Sequence, residues 1–117
     1  MIDGFLTCPV KVRYDAGDLP VDVKICFTAV VREALSNIAK HSSATEARVT
    51  VMEHPSFYQL VVSDNGIGKK SGGQVGIGLQ SMADRVDALR GVFRAESDKG
   101  FNIFISIPKV SEKGVVL

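Results

Sequence analysis

This chain of 117 residues has no tryptophan, only two cysteines and few aromatic residues, 7% in all. Its 14 basic and 13 acidic side chains nearly cancel, so no basic surface interleaved with aromatic rings indicates nucleic-acid binding. No apolar run approaches the roughly 20 residues that span a bilayer, and the N-terminus lacks the pattern of a signal peptide. These absences predict a soluble protein with no nucleic-acid partner and no direct membrane contact.

The two cysteines, Cys8 and Cys26, lie in apolar stretches and have neither a CxxC spacing nor a metal-ligand spacing. We therefore expect buried free thiols in a reducing compartment, which predicts a cytoplasmic location. A hydrophobic content of 45% in a chain of this length suits a single domain over residues 1–117. We expect its core over about 4–108 and a tail over 109–117.

Hydrophobic periodicity predicts two helices and five strands. Apolar residues that alternate with polar ones indicate strands, and apolar steps of three and four residues indicate helices. The first strand should be half-buried, the second and third should form a hairpin, and Gly91 should end the second helix in a left-handed conformation. The predicted strands are 10–14, 47–51, 57–64, 92–96 and 101–107, and the predicted helices are 21–41 and 79–89.

A polar stripe runs along the first predicted helix. Glu33, Asn37, Lys40 and His41 occupy positions i, i+4, i+7 and i+8, and at about 100° per residue they share one side of the helix. Because the stripe borders the apolar face, it points into a cleft, whereas a purely solvating stripe would lie on the far side. The structural alternative is a Glu-to-Lys pattern that stabilises the helix surface.

A carboxylate ends the third predicted strand, in Asp64-Asn65-Gly66. Asn-Gly after an alternating strand usually signals a hairpin, but no second strand follows directly. Six glycines instead lie among polar residues from Gly66 to Gly78, which predicts a mobile lid loop. Asp64 is thereby left at the end of a buried strand, beside a glycine that lets a flat ligand approach the backbone.

The glycine pairs at 66/68 and 76/78 do not fit the commoner phosphate-binding motifs. Each pair has a serine where a dinucleotide fingerprint has its third glycine, neither starts a βαβ unit, and no Walker P-loop pattern occurs. What remains at 76–79 is a flexible loop that leads into a helix N-terminus. Free backbone N–H groups and the helix dipole favour phosphate oxygens there.

In this order and spacing, the three segments resemble a known domain. Residues 33–42 resemble the N box, 64–68 the G1 box and 76–79 the G2 box of the catalytic, ATP-binding domain of sensor histidine kinases. The superfamily also contains gyrase B, Hsp90 and MutL, and the resemblance extends from about residue 19 to 108. The motif details are most similar to the kinases that pair with response regulators carrying a helix-turn-helix output domain.

The resemblance implies the Bergerat fold, an α/β (α+β) two-layer sandwich in which helices pack on one face of a mixed β-sheet. It also implies ATP and Mg²⁺ as cofactors. Asp64 would accept a hydrogen bond from the adenine amino group, Asn37 would hold Mg²⁺, and Lys40 would meet phosphate oxygens. The other implied nucleotide-binding residues are His41 on the ribose or phosphate side, Gly66 and Gly68 beside the base, and Gly76, Ile77, Gly78 and Leu79 around the phosphates.

The implied activity is transfer of the γ-phosphoryl group to a histidine on a separate dimerisation domain, in two-component signalling, with Glu33, Asn37 and Lys40 as catalytic residues. Many relatives open the last strand with Gly-Thr, whose hydroxyl helps to bind adenine, whereas Phe101 follows Gly100 here. Two alternatives stay open. One is an ATP hydrolase of the gyrase and Hsp90 type, in which Glu33 activates water, and the other is a non-catalytic interaction domain.

Overall fold

The computed structural model describes residues 9–41, 44–66, 79–96 and 100–109, without the side chain of His41. Each predicted helix and strand is present within these ranges, and the long helix has its predicted bounds. The elements in chain order are β1 (Val10–Asp15), α1 (Val21–His41), β2 (Ala47–Glu53), β3 (Phe57–Asp64), α2 (Leu79–Asp87), β4 (Val92–Glu96) and β5 (Asn102–Pro108).

The five strands form one mixed sheet in the order β1-β2-β3-β5-β4. β1 and β2 are parallel, whereas β2 and β3 form the predicted antiparallel hairpin, and β5 pairs antiparallel with β3 and β4. The register places Ala47 opposite Asp64 and Ser63 opposite Asn102. The end of β3 therefore meets the starts of β2 and β5 at one end of the sheet.

Both helices lie on one face of this sheet, as predicted. Every second residue of β3 and β5 faces the helices and is buried, and α1 buries a row of residues at steps of three and four. Burial of each large apolar side chain contributes about 1.5–3 kcal/mol. The fully buried large side chains are Leu60, Met82, Ile103, Ile105, Val30, Val62 and Val86.

Local chemistry explains how α1 begins. Pro20 precedes the helix and its carbonyl accepts the Lys24 N–H at 2.9 Å, while the Asp22 carboxylate accepts the Val23 N–H at 2.8 Å. Cys26 is a buried free thiol, as predicted, and burial raises the pKa of this thiol; Cys8 lies outside the described residues. Within the described ranges, no helix is both long and apolar enough to cross a membrane.

The prediction of a half-buried first strand is wrong. The register with β2 puts Val12 and Tyr14 on the helix face, opposite Val49 and Val51, but they remain 68% and 54% exposed. α1 packs over β2 and β3, so this edge of the sheet stays uncovered by the described residues. Alternation in a sequence reports which way side chains point, but it does not report whether another element covers them.

The prediction for Gly91 is also wrong. The left-handed residue after α2 is Arg90, with φ of 62°. The Gly91 N–H bonds to the Val86 carbonyl at 2.9 Å and the Arg90 N–H to the Asp87 carbonyl at 2.8 Å, which is the bonding pattern of a Schellman cap. Gly91 occupies the next position because a Cβ there would lie 2.6 Å from the Ser106 carbonyl oxygen.

Candidate functional site

Asp64 is buried at the end of β3. The strand alternates between partly buried and buried residues, and its last residue falls on the buried side with Leu60 and Val62. Asp64 is 8% exposed and is the only charged residue that is buried in the described part of the chain. Since a carboxylate loses much of its solvation in such a position, its fixed polar neighbours determine what it can bind.

The Asp64 carboxylate is held by two backbone N–H groups. The Gly66 N–H donates to Oδ1 at 2.6 Å, in the local turn that aspartate favours, and the Phe101 N–H donates to Oδ2 at a longer 3.4 Å. Among the described residues, no Lys, Arg or His side chain forms an ion pair with this carboxylate. Each oxygen has lone pairs left over, so the carboxylate can accept a hydrogen bond from a ligand.

Asn37 presents a second unused polar group. Its Nδ2 atom is buried and makes no hydrogen bond in the described structure. A buried amide without a partner costs about 1–3 kcal/mol, so such a group calls for a ligand or for bound water. Rotation by 180° exchanges the amide nitrogen and oxygen, and the same position therefore offers either a donor or an oxygen ligand.

Glu33 and Lys40 flank Asn37 on the polar stripe of α1. Glu33 is partly buried and Lys40 is exposed, and neither side chain has a hydrogen bond or ion pair with another residue in the described ranges. The structure thus places three of the four predicted stripe residues along one side of α1, near its C-terminal end. The side chain of the fourth, His41, lies outside the described residues.

Asn65 ties the end of the sheet to the segment that follows α1. Its Oδ1 accepts the Thr45 and Glu46 N–H groups at 2.9 and 3.0 Å, and its Nδ2 donates to the Thr45 hydroxyl at 3.0 Å. The Asn65 N–H also bonds to the Glu46 carbonyl at 3.2 Å. These bonds bring the C-terminal end of α1, which carries Asn37, to the same end of the sheet as Asp64.

Two of these contributions escape sequence reasoning. The turn motif at Asp64-Asn65-Gly66 gives no sign that the Asn65 side chain bonds to residues 45 and 46, about 20 positions away. At position 101 the family resemblance points to a missing hydroxyl, whereas the backbone N–H of Phe101 is the group that reaches Asp64, 37 positions away. Only the order of the strands, with β5 next to β3, brings this N–H to the site.

The structure describes only some of the remaining predicted positions. Gly66 contacts the Asp64 carboxylate as described, and Leu79 is the first residue of α2 and packs against the core. Gly68, Gly76, Ile77 and Gly78, with the rest of the predicted lid, lie outside the described residues.

Comparison with known proteins gives a family match over most of the chain. Residues 22–111 match the family described as histidine kinase-, DNA gyrase B-, and HSP90-like ATPase. The signal transduction histidine-protein kinase/phosphatase DegS of Brevibacillus brevis is 37% identical over 101 residues, which cover 80% of this chain and 25% of DegS. The nitrate/nitrite sensor protein NarX of Escherichia coli (strain K12) is 33% identical over 109 residues, covering 90% of this chain and 18% of NarX. The chain thus spans a quarter or less of these relatives.

Solved structures share the fold. The blue-light activated histidine kinase of Erythrobacter litoralis EL346 superposes with a TM-score of 0.73 at 21% identity, covering 86% of this chain and 37% of that one. The ATP binding domain of PrrB from Mycobacterium tuberculosis superposes with a TM-score of 0.61 at 21% identity. The match covers 87% of this chain and 82% of the PrrB chain. The chain therefore belongs to the family of histidine kinase-, DNA gyrase B- and HSP90-like ATPases, and it carries an ATP-binding catalytic domain of the sensor histidine kinase type.

Proposed function

We propose that this chain binds Mg-ATP and transfers its γ-phosphoryl group to a histidine on a separate dimerisation domain. The observation that carries the proposal is the buried Asp64 carboxylate, held by two N–H groups with no cation paired to it among the described residues. A buried carboxylate in this state gains from one more donor. The exocyclic amine of adenine is such a donor.

The same carboxylate accounts for base selection. Guanine presents a carbonyl oxygen where adenine presents its amino group, and two acceptors facing each other repel. Hydrogen bonds to charged groups contribute roughly 1.5–3 kcal/mol, which corresponds to about ten- to hundred-fold discrimination for adenine. Gly66 supports this role because its N–H fixes Oδ1 and it has no side chain to occupy the space beside the base.

Asn37 fits the metal and phosphate end of the nucleotide. Its buried amide has no partner in the described structure, and an amide oxygen is a hard ligand of the kind that Mg²⁺ prefers. The described residues contain no cluster of three or more His, Cys, Asp or Glu, so Asn37 would be joined by phosphate oxygens and water, as is usual for Mg²⁺ in kinase sites. When bound, Mg²⁺ neutralises charge that develops on the phosphoryl group.

The proposed chemistry is mostly positioning. An imidazole nitrogen of the acceptor forms a bond to the γ-phosphorus while the bond to the β–γ bridging oxygen breaks, so that ADP leaves and the imidazole proton passes to a base outside this chain. Asn37 would orient the nucleotide, and the exposed ammonium of Lys40 is free to meet phosphate oxygens. Roles for His41, Gly68, Gly76, Ile77 and Gly78 rest on the resemblance alone, and Leu79 would contribute through the N-terminus of α2.

The proposed partners follow from the proposed reaction. A histidine-containing dimerisation domain would receive the phosphoryl group and pass it to a response regulator. We assign that regulator to the helix-turn-helix output class, because the N-box pattern and the Gly-Leu-x-x-Met-x-x-Arg pattern at 78–85 are most similar to the kinases of that class. The proposed location of this domain is the cytoplasm, where ATP and reduced thiols such as Cys26 are found.

A second candidate function is ATP hydrolysis with Glu33 as the general base. Glu33 lies one turn before Asn37 on the same stripe, is partly buried, and has no partner within the described ranges. A carboxylate in that position can take a proton from a water molecule near the γ-phosphate. Kinase and hydrolase activity use the same nucleotide pose, so only the acceptor distinguishes them.

The deciding experiment mixes this chain, Mg²⁺, ATP labelled at the γ-phosphate and a histidine kinase dimerisation domain. We expect acid-labile phosphohistidine on the added domain, lost in Asn37→Ala and retained in the control Glu53→Gln. Phosphate release abolished by Glu33→Gln, without labelled histidine, would instead establish the hydrolase. If Mg-ATP fails to raise the melting temperature, the domain does not bind nucleotide and the non-catalytic alternative holds.

A further inference from the structure

Gly100, the second residue before β5, lies directly against Asp64. Its φ of +105° is in a region that residues with a side chain rarely adopt. A Cβ at this position would lie 2.4 Å from the backbone oxygen of Asp64 and 3.1 Å from its Oδ1. Both the backbone conformation and the available space therefore require glycine here.

The contact is part of a two-way link between β3 and the start of β5. The Asp64 N–H donates to the Phe101 carbonyl at 3.1 Å, and the Phe101 N–H donates to Asp64 Oδ2 at 3.4 Å. Because it has no side chain, Gly100 allows the Phe101 backbone to lie close to Asp64. A side chain at 100 would push residues 100 and 101 away from β3, and it would weaken one of the two hydrogen bonds that orient the carboxylate.

We propose that Gly100 is a positioning residue for recognition of the purine amino group. It holds the Asp64 carboxylate in place through the Phe101 N–H, and this inference rests on the proposed function of Asp64. Here the link depends on close backbone contact, which only a residue without a side chain permits.

Gly91, near the other end of β5, offers a control because it likewise has no room for a Cβ, although its φ is not positive. A Cβ at Gly91 would lie 2.6 Å from the Ser106 carbonyl oxygen and 2.8 Å from Val86 Cγ1, but Gly91 contacts neither Asp64 nor Phe101 in the bonds described. A purely structural role for Gly100 predicts the same consequences for both alanine variants, namely lower stability and unchanged base selection.

The test compares ATP with inosine triphosphate, whose base has a carbonyl in place of the amino group and an N–H in place of the adjacent ring nitrogen acceptor. Calorimetry on the wild type, Gly100→Ala and Gly91→Ala gives the affinity ratio for each, and thermal unfolding gives their stability. We expect the wild type to prefer ATP about ten- to hundred-fold, Gly91→Ala to keep that ratio despite a lower melting temperature, and Gly100→Ala to reduce it to threefold or less. A wild-type ratio near one would overturn the role of Asp64 itself. A wild-type ratio retained in Gly100→Ala would overturn only the role of Gly100.

If Gly100→Ala folds poorly, the proposal can still be tested with a second variant and with a measurement on the wild type. Gly100→Asn keeps the Cβ clash and adds less backbone strain, since asparagine tolerates positive φ better than alanine. In the wild type, saturating ATP should slow hydrogen exchange of the Phe101 N–H at least tenfold more than saturating inosine triphosphate does, because only ATP completes the hydrogen-bond network at Asp64. Equal protection by both nucleotides would contradict the proposal.

Discussion

The two ends of the sheet hold their carboxylates in opposite ways. Asp64, at the end of β3, is buried and bonded only to backbone N–H groups among the described residues. Glu53, at the end of β2, lies at the surface. Its carboxylate accepts a hydrogen bond from the Lys109 ammonium at 2.7 Å and another from the Gly17 N–H at 2.8 Å. Glu53 thus joins the loop after β1 to the residue after β5.

The difference separates a structural carboxylate from one available to a ligand. The partners of Glu53 belong to the fold itself, so little of its charge is left for a ligand. Among the described residues, Asp64 gains orientation from its neighbours but no opposite charge, and Asn37 Nδ2 on α1 has no partner. A buried polar group without a partner is rare in a folded protein, so the Asn37 amide calls for a ligand or bound water. The following substitutions test this comparison.

The largest effect is expected from Asp64→Asn. The variant replaces one acceptor oxygen by a donor and removes the charge, so ATP affinity measured by calorimetry should fall about ten- to hundred-fold. The matched variant Glu53→Gln changes a carboxylate of the other end in the same way and should bind ATP like the wild type. Equal affinities in all three proteins would remove the distinction between the two ends.

Asn37→Ala should lower the affinity for Mg-ATP while it leaves the free energy of unfolding nearly unchanged. Removal of the unpaired Nδ2 group relieves its cost, while removal of the side chain loses packing, so the free energy of unfolding without nucleotide should change by less than about 1 kcal/mol. Affinity for Mg-ATP should fall about tenfold or more, since a hydrogen bond or metal contact worth about 1.4 kcal/mol is lost.

Ile38→Ala is the control on the same helix. Ile38 is 2% exposed, and truncation of such a side chain typically costs 2–5 kcal/mol, while the affinity of the folded protein for Mg-ATP should change little. Urea unfolding and calorimetry on both variants give the comparison. A destabilisation by Asn37→Ala as large as that of Ile38→Ala would mean that the amide is satisfied within the fold.

The sequence predicted most of the elements because their periodicity is local. The apolar steps from Val23 to Ile38 specify α1, and the alternation in β3 and β5 specifies buried strands. Exposure of Val12 and Tyr14 was not predictable in this way, because it depends on where α1 crosses the sheet. Periodicity therefore gives directions of side chains, and packing gives their burial.

In the candidate site, too, the residues could be proposed from local sequence, but the bonds between distant residues could not. Asp64 could be proposed as a site residue from its position at the end of a strand, and Asn37 from the polar stripe of α1. The bonds that orient them could not, because the Phe101 N–H and the Asn65 amide act across 37 and about 20 positions. Arg90 shows a related limit: the sequence predicts glycine at the left-handed position, but the lack of space beside Ser106 requires the glycine one residue later.

The smallest effect concerns acid stability at the other end. The Lys109 ammonium, followed by the Gly17 N–H, lowers the pKa of Glu53 below its ordinary value. The folded state therefore favours ionised Glu53, and this contribution is present above the ordinary glutamate pKa of about 4.3. It is lost as pH falls from there through the lowered value.

Glu53→Gln removes the contribution at every pH. The urea midpoints of the wild type and Glu53→Gln should therefore differ most near neutral pH, with the wild type more stable, and they should converge below the lowered pKa. High salt should shrink the difference, because the ion pair lies at the surface. A difference that stays constant from neutral to acid pH would assign the effect to the hydrogen-bond geometry of Gly17 instead of the charge of Glu53. Glu53 and Asp64 would then differ in burial but not in the effect of a paired charge.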